Sequence, residues 1–165
     1  MLEKDLNHDL IKLFAGWGWA YKIPDAKGKT ALATDKRPFD GLAAFEGFDF
    51  FFESKLIKNK ISAFSIARIE PHQFENLLKL RELGKETAVI LGIWIARKTY
   101  LFLTFDVYFL YTLECKSILK KQIEGYISDG YAFDMRQAGS FKPGMLLERR
   151  IDGPVTGRGN GKVHK

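Results

Sequence analysis

Three charged residues, Asp40, Glu53 and Lys55, lie within or beside apolar runs of the sequence. Glu53 and Lys55 are two positions apart in the run 48–55, which predicts a β-strand, so their side chains should point to the same face. Asp40 lies thirteen residues before Glu53 in the run 39–45, and a glycine-containing turn between the two runs favours a hairpin. We therefore expect the two carboxylates to meet across neighbouring strands.

Two carboxylates that converge among apolar strands repel each other, and a hard divalent cation relieves that repulsion. Asp40, Glu53 and the carbonyl group of Ser54 are oxygen ligands of the kind that Mg²⁺ prefers, with Mn²⁺ as a substitute. Such a site supports hydrolysis of a phosphodiester, in which Lys55 would either activate the attacking water or stabilise developing charge. The alternative is an ordinary salt bridge on a surface hairpin.

The elements that must position these residues follow from hydrophobic periodicity and turn signals. Helices are predicted over residues 2–15, 71–83 and 117–127, and strands over 17–23, 39–45, 48–55, 87–96, 100–105 and 107–111. The chain is thus expected to form one mixed α/β domain, residues 1–131, that carries the candidate nuclease site. A basic, glycine-rich C-terminal segment that is flexible in part, residues 132–165, should follow it. Residues 87–111 could serve either as core or as a dimer surface.

The formal charge of +6 is concentrated in two places, residues 54–69 and 141–165. Lys58, Lys60 and Arg68 in the first segment are therefore predicted to contact a DNA backbone, although ordinary solvated lysines would give the same pattern. The single Cys115 favours a reducing, cytoplasmic setting. No signal peptide is expected, and the longest apolar stretch is too short and too interrupted to cross a membrane.

An ordered set of motifs within residues 2–78 closely resembles the RecU-type Holliday junction resolvases. The set comprises Phe39-Asp40-Gly41, Phe52-Glu53-Ser54-Lys55, Lys58-Asn59-Lys60, Ser62, Phe64 and His72-Gln73. The resemblance implies a restriction-endonuclease-like fold with a mixed central sheet flanked by helices. It also implies a Mg²⁺-dependent endonuclease, active as a homodimer that makes paired symmetric nicks in four-way DNA junctions, in a bacterial or phage-infected cell.

By the same resemblance, Asp40 and Glu53 would be metal ligands, Lys55 the catalytic lysine, Glu3 a further acidic contributor and Gln73 an active-site support. From the residues alone, Glu3 is equally an acid at a helix start and Gln73 could face solvent. Two other functions stay open: a different nicking or restriction-type endonuclease, and a DNA-binding module in which the acidic cluster is only structural. The glycine-rich run 157–162 lacks the spacing of a phosphate-binding loop.

Overall fold

A computed structural model describes residues 3–24, 36–57, 63–96 and 99–155. Its α-helices are α1 (Glu3–Ala15), α2 (Pro71–Glu82), α3 (Val107–Tyr111), α4 (Lys120–Ser128) and α5 (Met145–Glu148). Its strands are β1 (Trp19–Lys22), β2 (Gly41–Phe45), β3 (Phe48–Ile57), β4 (Ala63–Ser65), β5 (Glu86–Ala96), β6 (Thr99–Phe105), β7 (Ser117–Leu119) and β8 (Phe133–Asp134). No helix within the described ranges is both long and apolar enough to cross a lipid bilayer.

Within the described ranges, six strands form one mixed sheet in the order β1-β2-β3-β5-β6-β8. β3 and β5 are parallel neighbours, with α2 in the connection between them, and the other pairs are antiparallel. β4 and β7 form a separate antiparallel ladder. One apolar cluster covers each face of the sheet. The predicted mixed α/β architecture with helices on both sides of a central sheet is confirmed.

The predicted hairpin is formed by β2 and β3, in which Phe45 lies opposite Phe48. Gly47 in the two-residue turn has a φ of 94°, a conformation that costs glycine little because it has no Cβ. β3 alternates as expected: Phe50 and Phe52 are buried on one face, and Glu53 and Lys55 point to the other.

Helix α1 packs on the Phe50 face of the sheet through Leu6, Leu10 and Phe14, which recur every four residues. Gly92 in β5 lies directly beneath it, and a Cβ at that position would stand 2.6 Å from a methyl group of Leu6. The close approach of this helix to the sheet therefore requires glycine in β5.

Helix α2 packs on the opposite face, the face that carries Glu53. It begins at Pro71, which suits the first helical turn because that position needs no backbone N–H. Glu70 precedes it and forms a capping box with Gln73, whose Oε1 accepts a hydrogen bond from the Glu70 amide at 2.9 Å. The prediction of a helix over 71–83 is confirmed.

The prediction of a strand over 107–111 is wrong, because these residues form α3. Asp106 caps this helix, its carboxylate accepting a hydrogen bond from the amide of Phe109 at 3.0 Å. The predicted helix over 117–127 is also shorter than expected, since its first residues pair with β4 as β7.

The boundary predicted after residue 131 falls inside the folded body. β8 pairs with β6, and Phe133, Phe141, Leu146 and Ile151 are buried in the core. The sequence did not predict that these residues belong to the core, because isolated apolar residues among glycines and charged residues show neither helical nor strand periodicity. The glycine-rich run 157–162 lies outside the described residues. The core also absorbs most apolar residues of 87–111, the segment that was open to either interpretation.

Candidate active site

The site lies at the start of β2, beside an edge of β3 that has no partner strand among the described residues. β2 begins at Gly41, opposite Phe52, so the backbone of β3 beyond Phe52 has no β2 residue beside it. Two carboxylates take that place: Asp40 accepts a hydrogen bond from the Ser54 amide at 2.8 Å, and Glu3 accepts one from the Leu56 amide at 3.4 Å. Acidic side chains thus satisfy backbone donors that a strand would otherwise satisfy.

Asp40 is buried at the start of β2, and both of its carboxylate oxygens have partners. Its Oδ2 accepts hydrogen bonds from the amide and the hydroxyl group of Ser54, at 2.8 and 2.7 Å. Its Oδ1 lies 2.6 Å from Nη2 of Arg37. The Asp40 amide donates to the carbonyl of Phe52, which places Asp40 directly beside Glu53. The predicted meeting of the two acidic residues across neighbouring strands is observed.

Glu53 is completely buried in β3, with 0% of its surface exposed. Its Oε1 accepts a hydrogen bond from Nε2 of Gln73 at 2.7 Å and lies 2.8 Å from Nζ of Lys55. Its Oε2 is also buried and has no hydrogen-bond partner within the described part of the chain. Since a buried carboxylate oxygen without a partner is costly, this atom is the strongest sign of a missing ligand.

The electrostatic environment of Glu53 disfavours its charged form. Burial and, secondly, the negative charge of Asp40 raise the pKa of Glu53 from 4.5 to about 7. Lys55 and Arg37 act in the opposite direction, but they do not outweigh burial. An ordinary surface salt bridge, the alternative interpretation of the hairpin, would have neither this burial nor this shift.

Gln73 is the residue that connects α2 to the site. Its Oε1 is fixed by the Glu70 amide, so its amide nitrogen is directed at Glu53. The helix cap therefore sets the orientation of a side chain in the cluster, and Gln73 is buried, which excludes the interpretation in which it faces solvent.

Two further residues join the cluster: Arg37, which the sequence analysis did not name, and His72, which it named only as part of the motif set. Arg37 reaches Asp40 from the segment before β2, and the ring of His72 donates a hydrogen bond from Nε2 to the Arg37 carbonyl at 3.0 Å. His72 thus acts as a hydrogen-bonding residue that holds the segment of Arg37. Arg37 stands three residues before Asp40 in the sequence. That spacing indicates an ion pair only when the backbone conformation between the two residues is known.

Glu3 and Arg68 lie together farther along the same edge of β3. Arg68 forms an ion pair with Glu3 and stands over the ring of Phe64, 5.6 Å from its centroid. Glu3 therefore borders the cluster through its contact with the Leu56 amide, and its predicted role in catalysis stays a prediction. Lys58 and Lys60, predicted to contact DNA with Arg68, lie outside the described residues.

The donor set fits one hard divalent cation. The residues that the structure describes contain no group of three or more acidic, histidine or cysteine side chains placed to hold a metal, so two carboxylates must suffice. Among the residues described, none donates a hydrogen bond to Glu53 Oε2, and the Ser54 carbonyl points to the same strand edge as the Ser54 amide that binds Asp40. Mg²⁺ keeps several waters and commonly takes only one or two protein carboxylates, so this set is chemically adequate.

No family model matches the chain, and no curated protein sequence matches it. Among solved structures, the chain is similar to Hjc, a Holliday junction resolvase from the archaeal hyperthermophile Archaeoglobus fulgidus, with 22% sequence identity and a TM-score of 0.43. The similarity covers 73% of this chain and 87% of that one.

Proposed function

We propose that the chain is a Mg²⁺-dependent endonuclease of the restriction-endonuclease-like superfamily, of the RecU type, that resolves four-way DNA junctions. The observation that carries this proposal is the pairing of Asp40 with a fully buried Glu53 whose Oε2 has no hydrogen-bond partner in the described chain. Burial of this charge destabilises the folded protein, and binding of a divalent cation would offset that destabilisation.

Asp40, Glu53 and the Ser54 carbonyl would hold the cation. When bound, it would supply the charge that polarises a phosphodiester and makes water more acidic. The Ser54 amide and hydroxyl fix Asp40 Oδ2, and Gln73 fixes Glu53 Oε1, so both carboxylates are oriented before any ligand arrives. Such preorganisation reduces the reorganisation that the reaction itself requires.

Lys55 supplies the positive charge next to the reacting phosphate. Its Nζ lies 2.8 Å from Glu53 Oε1, and its side chain is 12% exposed, so it can reach a substrate without leaving the cluster. An ammonium group in this position stabilises negative charge that develops on the phosphate in the transition state. Arg37 holds Asp40 in the same way that Lys55 holds Glu53.

Charge and symmetry support a four-way DNA junction as the substrate. A net charge of +6 suits a polyanion, and phosphate contacts dominate the affinity of proteins for DNA. A four-way junction is two-fold symmetric, so a homodimer that presents two copies of this site would cut two strands at related positions.

The test is cleavage of an end-labelled mobile junction with Mg²⁺, using wild type, Asp40→Asn, Glu53→Gln and Lys55→Ala. We expect symmetric nicks in opposing strands from the wild type and a loss of at least about a hundredfold in each variant. Asp49→Asn is the matched control, because Asp49 is a more exposed carboxylate on the same strand and pairs with Lys85.

Each other outcome assigns a different function. Equal cleavage of linear duplex and junction would indicate a nicking or restriction-type enzyme instead. Junction binding without Mg²⁺-dependent cleavage would indicate a DNA-binding module with a structural acidic cluster. Cleavage that persists in Asp40→Asn would show that the activity comes from elsewhere.

A further inference from the structure

The edge strand β1 carries two large aromatic side chains that the fold leaves exposed. Trp19 and Tyr21 are 55% and 48% exposed, and their rings are stacked, with centroids 5.8 Å apart and planes only 2° from parallel. They contribute little to the core, since the Ala20 side of the strand is the side that packs against α1 and its neighbours. Burial therefore does not explain why this strand has two aromatic residues on its outer face.

The aromatic pair lies on the same face of the sheet as the candidate active site. Directly opposed residues of neighbouring strands share a face, and Tyr21 is opposite Leu42, which is opposite Phe51. Phe51 and Glu53 are two positions apart on β3 and therefore point the same way. A ligand that lies across this face would contact the aromatic pair and the carboxylates together.

The distance between the two features suits a nucleic acid strand. From Tyr21 to Glu53 is two strand spacings across the sheet and two residues along it, about 12 Å between Cα positions. This spans a few nucleotides, since stacked bases rise about 3.4 Å each.

Backbone contacts at both ends position the strand that carries the pair. A Cβ at Gly18, immediately before β1, would collide with the carbonyl oxygen of Ala44, so the chain approaches β2 as closely as it can. At the other end of β1, the amide of Ile23 donates to the carbonyl of Asp40 at 2.9 Å. The strand that carries the rings is thus tied directly to a proposed metal ligand.

We propose that Trp19 and Tyr21 form a stacking platform for unpaired nucleobases of DNA whose backbone passes the candidate active site. This inference rests on the proposed function and adds to it a preference for open, unpaired bases. Exposed aromatic rings on a sheet surface bind bases through their flat faces, without regard to sequence, and bases inside an intact duplex do not offer those faces. The basic chain supplies the complementary charge for the backbone.

The experiment measures binding in EDTA, which prevents cutting, to a linear duplex and to the same duplex with a short unpaired bubble. Trp19→Ala/Tyr21→Ala should weaken bubble binding by about tenfold or more and leave duplex binding unchanged. Trp19→Phe/Tyr21→Phe should retain most of the affinity because the rings remain. Tyr108→Ala, which removes an exposed aromatic from α3, is the matched control.

The salt dependence separates stacking from charge. The slope of log affinity against log salt should be the same for wild type and for the double alanine variant, because stacking releases no counterions. Equal loss on bubble and duplex, or no loss on the bubble, would overturn the platform while leaving the nuclease proposal intact. Sedimentation that shows the double alanine variant to have lost self-association would identify the rings as a contact between copies, which also overturns it. A wild type that binds neither DNA would defeat both proposals.

Discussion

Replacing Glu53 with glutamine should stabilise the metal-free protein at about pH 8 and have little effect at about pH 5. Glu53 is fully buried, and burial together with the charge of Asp40 raises its pKa from 4.5 to about 7. A raised carboxyl pKa means that the folded state binds this proton more tightly than the unfolded state does. The stabilising contribution is therefore complete below pH 4.5 and is lost as the pH rises through about 7.

The magnitude follows from the shift. Each pKa unit corresponds to about 1.4 kcal/mol, so the rise from 4.5 to about 7 corresponds to about 3 kcal/mol of stability lost once Glu53 is ionised. Glutamine cannot ionise and keeps a similar shape, so the variant avoids this loss at high pH. The full value is an upper limit, because Lys55 loses its charged partner in the variant.

The assay is urea-induced unfolding in EDTA at about pH 5 and pH 8, for wild type, Glu53→Gln and the exposed-site control Asp49→Asn. The difference in unfolding free energy between Glu53→Gln and wild type should grow with pH, to about 2 to 3 kcal/mol. Asp49→Asn should show no comparable growth. A glutamine variant that is less stable than wild type at about pH 8 would refute the reasoning, since the carboxylate would then stabilise the fold.

Three other perturbations test separate parts of the structure. Mg²⁺ should raise the thermal unfolding midpoint of wild type but not of Asp40→Asn, because the cation binds only the folded site; equal shifts in a thermal melt would contradict this. Gly92→Ala should cost about 1 to 3 kcal/mol, since its Cβ would stand 2.6 Å from a leucine methyl of α1; an unchanged urea midpoint would show that the helix moves freely. Asp106→Ala removes both the α3 cap and the buried carboxylate that pairs with the more exposed Arg81, and should lower the unfolding free energy by about 2 to 3 kcal/mol; a loss below about 1 kcal/mol would contradict this role of the buried Asp106.

The parts of the fold that depend on nearby residues could be predicted from the sequence. The alternation of β3 and the glycine turn before it predict which face carries Glu53 and Lys55, and the same hairpin predicts that Asp40 lies beside them. Pro71 marks the start of α2 because proline is compatible with a first helical turn. These signals involve residues close together in the sequence, so they can be interpreted without knowledge of the tertiary structure.

The parts that depend on distant residues could not be predicted. The parallel pairing of β3 with β5 joins segments more than thirty residues apart, and no local pattern encodes it. The contact of Arg37 with Asp40 and the direction of Gln73 become visible only when α2 packs on the sheet. The five residues of α3 form an apolar run too short to distinguish helix from strand by period, although Asp106 before them was a cap signal.

The proposed metal site would account for the destabilisation that the buried Glu53 causes. Asp40 and Glu53 satisfy backbone and side-chain donors on one side, yet Glu53 Oε2 has no hydrogen-bond partner in the described chain. Proteins keep such destabilised groups where a ligand or a reaction uses them.

We propose that Asp40, Glu53 and the Ser54 carbonyl hold one divalent cation. Anomalous diffraction from crystals grown with Mn²⁺ tests it most directly, because the ion is located independently of the protein atoms. We expect one strong peak within about 2.0 to 2.5 Å of oxygen atoms from both carboxylates, and its loss in Glu53→Gln. A well-ordered site with no peak between the two carboxylates, or with the ion bound elsewhere, would contradict it.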